Sequence, residues 1–160
     1  MSDSTPDMTG STDRPATAAR LRNLGTRLLS LAAIQSDRLV NEELAGAGAR
    51  KWHYAVLATL EEFGPASQSE LSRRTGIHRS DMVAVVNELA DHGRVERSPN
   101  PADRRQNIIA VTKEGHRLLL QLDKLLAEVE NEALAPLNPS EREQLTRLLT
   151  ALVDHHGHHM

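Results

Sequence analysis

Ser67–Gly93, SQSELSRRTGIHRSDMVAVVNELADHG, decides the fold. Ser67 followed by Glu70 has the pattern of a capping box, in which the hydroxyl accepts from the third helical amide and the carboxylate reaches back to the cap amide. A short helix therefore begins there. It ends at Thr75-Gly76, because glycine takes the left-handed conformation that closes a helix. Beyond Ile77, Met82, Val85, Val86 and Leu89 recur at i, i+3, i+4 and i+7 until Gly93, which is the apolar stripe of a second helix. Two helices joined across a tight glycine turn make a helix-turn-helix. With that stripe inward, Ser80, Asp81, Val83, Ala84 and Asn87 face outward, and Arg79 stands at the helix start. Such a small, polar, weakly apolar face fits a DNA major groove: Ser and Asn bond base edges, Arg pairs with guanine, and Val or Ala touches a thymine methyl. The alternative is an ordinary solvent face, against which an exposed Val83 beside Ala84 counts.

Downstream, Arg94–Ser98, the turn-rich Pro99–Arg105 and Gln106–Val111 read as a β-hairpin with a long tip. The tip carries Asp103, Arg104 and Arg105. Two guanidinium groups at a narrow place suit the negative potential of a narrow minor groove, with Asp103 expected to orient one of them. Taken alone, the tip also reads as a solvated turn with a weak surface ion pair; behind a helix-turn-helix, the joint pattern is far more specific. Thr112 is placed to cap a helix bearing Leu118, Leu119, Leu122, Leu125, Leu126 and Val129. The chain breaks around Pro136 to Pro139, and a last helix carrying Leu145, Leu148, Leu149, Leu152 and Val153 is expected to start on a second capping box, Ser140 with Glu143.

Upstream, Leu21, Leu24, Leu28, Leu31 and Leu39 line one face of a long helix ending near Gly46 and Gly48. A further helix, Arg50 to Glu62, stops at Gly64-Pro65. The terminal helices carry more apolar surface than the central module can cover, and a second copy of the same chain is the expected cover. The segments are thus a flexible arm (1–14), an N-terminal dimerisation helix (15–48), a DNA-binding domain (49–111), C-terminal dimerisation helices (112–153) and a flexible His-rich tail (154–160).

The stretch Trp52–Gly115, with its D-x-R signature at Asp103 and Arg105, resembles the MarR family of bacterial winged helix-turn-helix regulators. The resemblance implies a mainly α fold with a small β-hairpin wing, its outer helices forming a dimerisation region. It implies a homodimer on a pseudo-palindromic double-stranded operator, usually a repressor released by a small ligand. By position, it implies that Arg79, Ser80, Val83, Ala84 and Asn87 meet bases or nearby phosphates. Ser69, Arg73 and Arg74 would hold the DNA backbone, and Arg104 and Arg105 would enter the minor groove. Two features depart from the family. His78 stands where an Asp cap is common, so the first turn of the recognition helix is expected to be held differently. Residues 66 to 112 hold seven basic against six acidic groups, so affinity and its salt dependence are expected to be modest.

Composition bounds the other readings. With 39% hydrophobic and 26% charged residues, the chain is globular rather than disordered throughout. Its apolar runs, such as Ala55–Ala58 and Leu118–Leu120, fall far below the roughly 20 residues that cross a bilayer. A chain with no cysteine has no disulfide, thiolate metal site or thiol switch, and a cytoplasmic location is expected. The net charge of −3 conceals +4 over residues 14 to 51 and −3 over residues 113 to 154, so global charge says little about partners. No phosphate loop, nucleophile elbow or His–carboxylate spacing is present, so neither enzyme nor cofactor is expected. His155, His156, His158 and His159 crowd the C-terminus, which makes a metal-responsive regulator a minority alternative; no fixed metal site is expected. A winged-helix module that binds protein is the rival from another class. For an effector, Arg27, Trp52, His53 and Tyr54 combine aromatic walls with cationic groups suited to a small aromatic carboxylate or phenol, although large rings also simply fill cores.

Overall fold

Asn23 and Gly25 are weak helix formers, and they interrupt the leucine-rich N-terminal segment that was expected to be one helix. The computed structural model describes residues 15–157. In it, α1 (Ala19–Arg22) ends at Asn23, whose amide donates to the Ala19 carbonyl, and α2 (Gly25–Gly46) follows. The arm expected over residues 1–14, and residues 158–160 of the tail, lie outside the described residues.

The chain divides into two units, the first ending at Ile34 and the second beginning at Gln35. In the first, α1, the link after it and the start of α2 carry Leu21, Leu24, Leu28, Leu29, Leu31 and Ile34, all exposed. The second unit contains the core. Here α3 (Lys51–Phe63), α4 (Gln68–Thr75), α5 (Arg79–Asp91) and the first half of α6 (Lys113–Ala133) enclose Leu57, Leu71, Met82, Leu89 and Leu122, which are fully buried. Burying side chains of this size is worth about 1.5–3 kcal/mol each. A three-stranded antiparallel sheet closes one side in the order β1-β3-β2. β2 (Val95–Pro99) and β3 (Asn107–Val111) form the expected hairpin, with Arg97 opposite Ile109. An additional strand, β1 (Ala66–Ser67), pairs with Ile109 and Ile108; two residues are too few to show alternation in the sequence.

Caps explain most boundaries. Ser67 Oγ accepts from the Glu70 amide at 3.2 Å as expected, while the Glu70 carboxylate turns toward Arg74, 3.9 Å away. Gly76, at φ 75°, closes α4 and returns its amide to the Ser72 carbonyl, a backbone conformation strained for other residues. Thr112 Oγ1 accepts from the Gly115 amide and donates to the Gly93 carbonyl, joining α6 to the end of α5.

The C-terminal helix α7 (Pro139–Gly157) corrects two expectations. Its capping box is Asn138 with Glu141, not Ser140 with Glu143: Asn138 Oδ1 accepts from the Glu141 amide and Glu141 Oε1 accepts from the Asn138 amide, both at 2.9 Å. Proline at the first helical position, where no amide partner is needed, moves the start upstream. The helix also continues through Asp154, His155, His156 and Gly157, which the expected flexible tail had included. No residue of α7 is buried, and Leu148, Leu149, Leu152 and Val153 are exposed. Among the described residues, no helix is long and apolar enough to cross a membrane.

Candidate nucleic-acid interface

The faces of α5 separate as its periodicity requires. Met82, Val85, Val86 and Leu89 are fully buried, whereas Arg79, Ser80, Asp81, Val83, Ala84 and Asn87 are exposed. Val83 keeps 47% of its surface in solvent. His78 does replace the acidic cap. Its Nδ1 accepts from the Ser80 amide at 3.2 Å and lies 2.8 Å from Ser80 Oγ, so an imidazole holds the first turn. Asp81 lies in that turn, where the helix N-terminus favours a carboxylate.

In front of this face lies a cleft of about 310 Å³, lined by Ser67, Gln68, Ser69 and Ser72, by Arg79 and Val83 of α5, and by Arg105, Gln106 and Asn107 of the wing. It brings together Ser69, Arg79, Val83 and Arg105 of the expected contacts. Gln68, half-buried, and Gln106 and Asn107, both exposed, carried no sequence signal, and only the fold draws them to one place.

The wing tip is held by its backbone. Asp103 Oδ1 accepts from the Arg105 amide at 3.0 Å, the Gln106 amide donates to the Asp103 carbonyl, and Asn100 Oδ1 accepts from the Ala102 amide. Asp103 thus orients Arg105 through its main chain, not through an ion pair with its guanidinium. Side chains of Arg104 and Arg105 are exposed, and no ion pair among the described residues engages either, nor Arg73 or Arg79. Arg74 differs: its guanidinium lies 4.0 Å over the Phe63 ring and 3.9 Å from Glu70. At the far end of the face, Arg97 of β2 donates to Asn87 Oδ1, a partner that no motif in the sequence marks.

Of the four residues considered for an effector, Trp52, His53 and Tyr54 are not brought to one wall. Arg27 belongs to the first unit, where its guanidinium donates to the Leu21 carbonyl at 3.4 Å. Trp52, His53 and Tyr54 are successive on α3, and a helix turns successive side chains by about 100°. Trp52 lies under the Arg50 guanidinium, 5.6 Å away, and lines a pocket with Asn41, Ala45, Ala49 and Lys51. Tyr54 donates its hydroxyl to Asp123 at 2.7 Å, a bond that raises the phenol above its ordinary pKa. His53 is buried. The Arg50 amide donates to its Nδ1 at 3.0 Å, so in the neutral ring Nε2 carries the proton and donates to Glu88 Oε2 at 2.6 Å. Arg50 also donates to both oxygens of Glu88, at 2.8 and 2.6 Å, which with the His53 bond holds that carboxylate below its usual pKa. His53, Glu88, His92 and Arg94 line a second pocket of about 340 Å³ that shares Ala45, Ala49 and Arg50 with the first.

Burial pushes His53 below its ordinary pKa of 6.5, outweighing the opposing pull of Glu88. Since the folded state favours the neutral ring, the unfolded chain binds more protons between the lowered value and 6.5. Stability is therefore complete above about pH 7 and falls as pH drops through that window. A melting series from pH 8 to 5 is expected to show this decline, and His53→Gln, which accepts and donates without titrating, to flatten it. An equal slope in the variant would refute the assignment.

His155 and His156 stack edge to face at 4.9 Å in α7, and His158 and His159 lie outside the described residues. Among the described residues, no group of three His, Asp or Glu side chains is placed to hold a metal ion.

A helix-turn-helix with an arginine-tipped β-wing around one cleft defines a winged-helix DNA-binding protein. The MarR family pattern matches residues 49–106. An HTH-type transcriptional regulator of Mycobacterium bovis, itself uncharacterized, is 33% identical over 79% of this chain and 90% of its own length. The transcriptional repressor NicR of Pseudomonas putida is 30% identical over 63% of this chain and 64% of its own. Among solved structures, a MarR variant of E. coli complexed with operator DNA is 25% identical, with TM-score 0.71, over 80% of this chain and 92% of that one. PcaV of Streptomyces coelicolor, in complex with its natural ligand, is 26% identical, with TM-score 0.73, over 87% and 98%. The chain belongs to the MarR family and is a DNA-binding transcriptional regulator of that type.

Proposed function

We propose that this regulator binds a pseudo-palindromic duplex as a homodimer and represses its own or neighbouring genes until a small aromatic acid or phenol releases it. The observation that carries the reading is the single cleft where the outward face of α5, the start of α4 and the wing converge, with unpaired guanidinium groups of Arg79 and Arg105 beside it. In this arrangement Arg79, Ser80, Asp81, Val83, Ala84 and Asn87 face base edges. Ser69 and Arg73 meet phosphates, and Arg104 and Arg105 enter the flanking minor groove, positioned by Asp103. Arg74, restrained by Phe63 and Glu70, has the weakest claim among the expected backbone contacts.

Pairing of two chains through residues 15–48 and 112–153 would cover the leucines of α2 and α7. It would set the two recognition helices about 34 Å apart, one duplex turn. Leu149→Glu with Leu152→Glu, which places charge on the exposed apolar face of α7, is expected to yield monomers by sedimentation and to weaken operator binding more than tenfold. A variant that remains dimeric removes α7 from the interface. Repression follows where the site overlaps a promoter, a reading that the naming of NicR as a repressor supports.

The effector reading is supported by the adjoining pockets around Arg50, which hold an aromatic wall, cations and a direct tie to the recognition helix through Glu88. A carboxylate that captures Arg50 competes with Glu88 and loosens the C-terminal half of α5. Only its differential affinity for the two states shifts DNA binding. Selection of duplexes from a random pool, with and without simple phenolic acids, tests the whole reading. An enriched inverted repeat is expected, with weaker recovery in the presence of an effective acid; no enrichment defeats it.

A further inference from the structure

Asn87 and Arg97 reach one another from different elements, Asn87 from the exposed face of α5 and Arg97 from β2. The Arg97 Nη2 donates to the Asn87 Oδ1. A guanidinium offers donors only, so the amide atom that meets it has to be the oxygen, and chemistry alone settles which way the Asn87 amide points. An asparagine that reads adenine uses both ends: Oδ1 accepts from the N6 amino group while Nδ2 donates to N7. In this protein a cation covers the accepting end. It takes one of the oxygen's two lone pairs and repels the partly positive N6 hydrogens from the other. What projects from the pair is donors alone, the Nδ2 hydrogens and the remaining guanidinium N–H groups. Donors alone complement guanine, which presents acceptors at both N7 and O6 in the major groove.

We infer that Asn87 and Arg97 act as one donor unit that selects guanine over adenine at one base-pair position in each half-site. Asn87 is the reader and Arg97 the positioning residue. The inference rests on the duplex-reading role proposed above for α5.

The test is selection of bound duplexes by the full chain and by three variants. Asn87→Ala is expected to lose base preference at one position per half-site, which identifies the position, and the wild type to show guanine there. Arg97→Met keeps the aliphatic stem without a donor; it frees Oδ1 and is expected to turn that position toward adenine by about tenfold in relative affinity while other positions hold. Arg97→Lys, again a donor only, retains guanine. Without any variant, changing that guanine to adenine in the selected duplex weakens wild-type binding about tenfold. Adenine in the wild-type site, an unchanged guanine in Arg97→Met, or indifference to the base change overturns the inference. So does a uniform loss across sequences with a smaller salt slope, which would make Arg97 a phosphate contact. A wild-type protein that enriches no sequence overturns the duplex-reading role as well, whereas an enriched site with no Asn87-dependent position overturns the donor unit alone.

Discussion

Arg104→Ala combined with Arg105→Ala is expected to weaken operator binding by about 2–4 kcal/mol, thirtyfold or more, at moderate salt. Both side chains are exposed at the wing tip, unpaired, and carried on a backbone that Asp103 and Asn100 hold in a turn. Few other cations offset their loss, because the domain carries nearly as many acidic as basic groups. The slope of log affinity against log salt should fall by roughly 0.9 for each phosphate contact removed. Anisotropy titrations at several salt concentrations read both quantities. Melting should be unaffected, since neither side chain is packed. An affinity within twofold of the wild type would take the wing out of the interface.

Gly115→Ala is expected to be the most disruptive glycine-to-alanine change among the described residues. A Cβ at this position meets the Arg94 carbonyl oxygen well inside contact distance and Val111 Cγ2 at 2.8 Å. Inside a helix, alanine is otherwise favoured over glycine by about 1 kcal/mol, so the steric cost has to overcome a gain. The carbonyl is main chain and cannot rotate away; α6 must shift from the strand entry at Arg94. A net loss of about 1–3 kcal/mol, or roughly 3–10 °C in melting temperature, is expected. Gly25→Ala, where nothing lies within 4 Å, serves as the control and should be neutral or stabilising. Equal melting of the two variants would show that the approach of Gly115 to Arg94 is not required. The same substitution should also impair DNA binding, because Arg94 leads directly into the wing.

The helix-turn-helix was legible because burial leaves a periodic record. Met82, Val85, Val86 and Leu89 are all fully enclosed, and their stripe alone assigned the outward face of α5. Features made by single polar atoms left less trace. Asn138 and Glu141 satisfy the same spacing rule as Ser140 and Glu143, and only the position of Pro139 between them decides which pair caps α7. That Asp103 orients an arginine was legible, but not the atom it uses: a short carboxylate reaches a main-chain amide two residues on more readily than a long mobile guanidinium. Trp52, His53 and Tyr54 looked like one wall because they are adjacent in the chain, yet helical rotation sends them to Arg50, Glu88 and Asp123. Arg97, ten residues from Asn87, carried no motif; its meaning comes from the hairpin folding back beside α5.

The two-residue strand β1 has a mechanical consequence. Its pairing with Ile108 and Ile109 fastens the hairpin directly to the segment that launches α4, so the wing and the helix-turn-helix proposed to straddle a double helix share one mounting, like the jaws of callipers. Such an instrument gauges the width and curvature of its target as well as reading letters. Operators with identical contacted bases but stiffer or wider flanking steps should therefore be gripped less tightly.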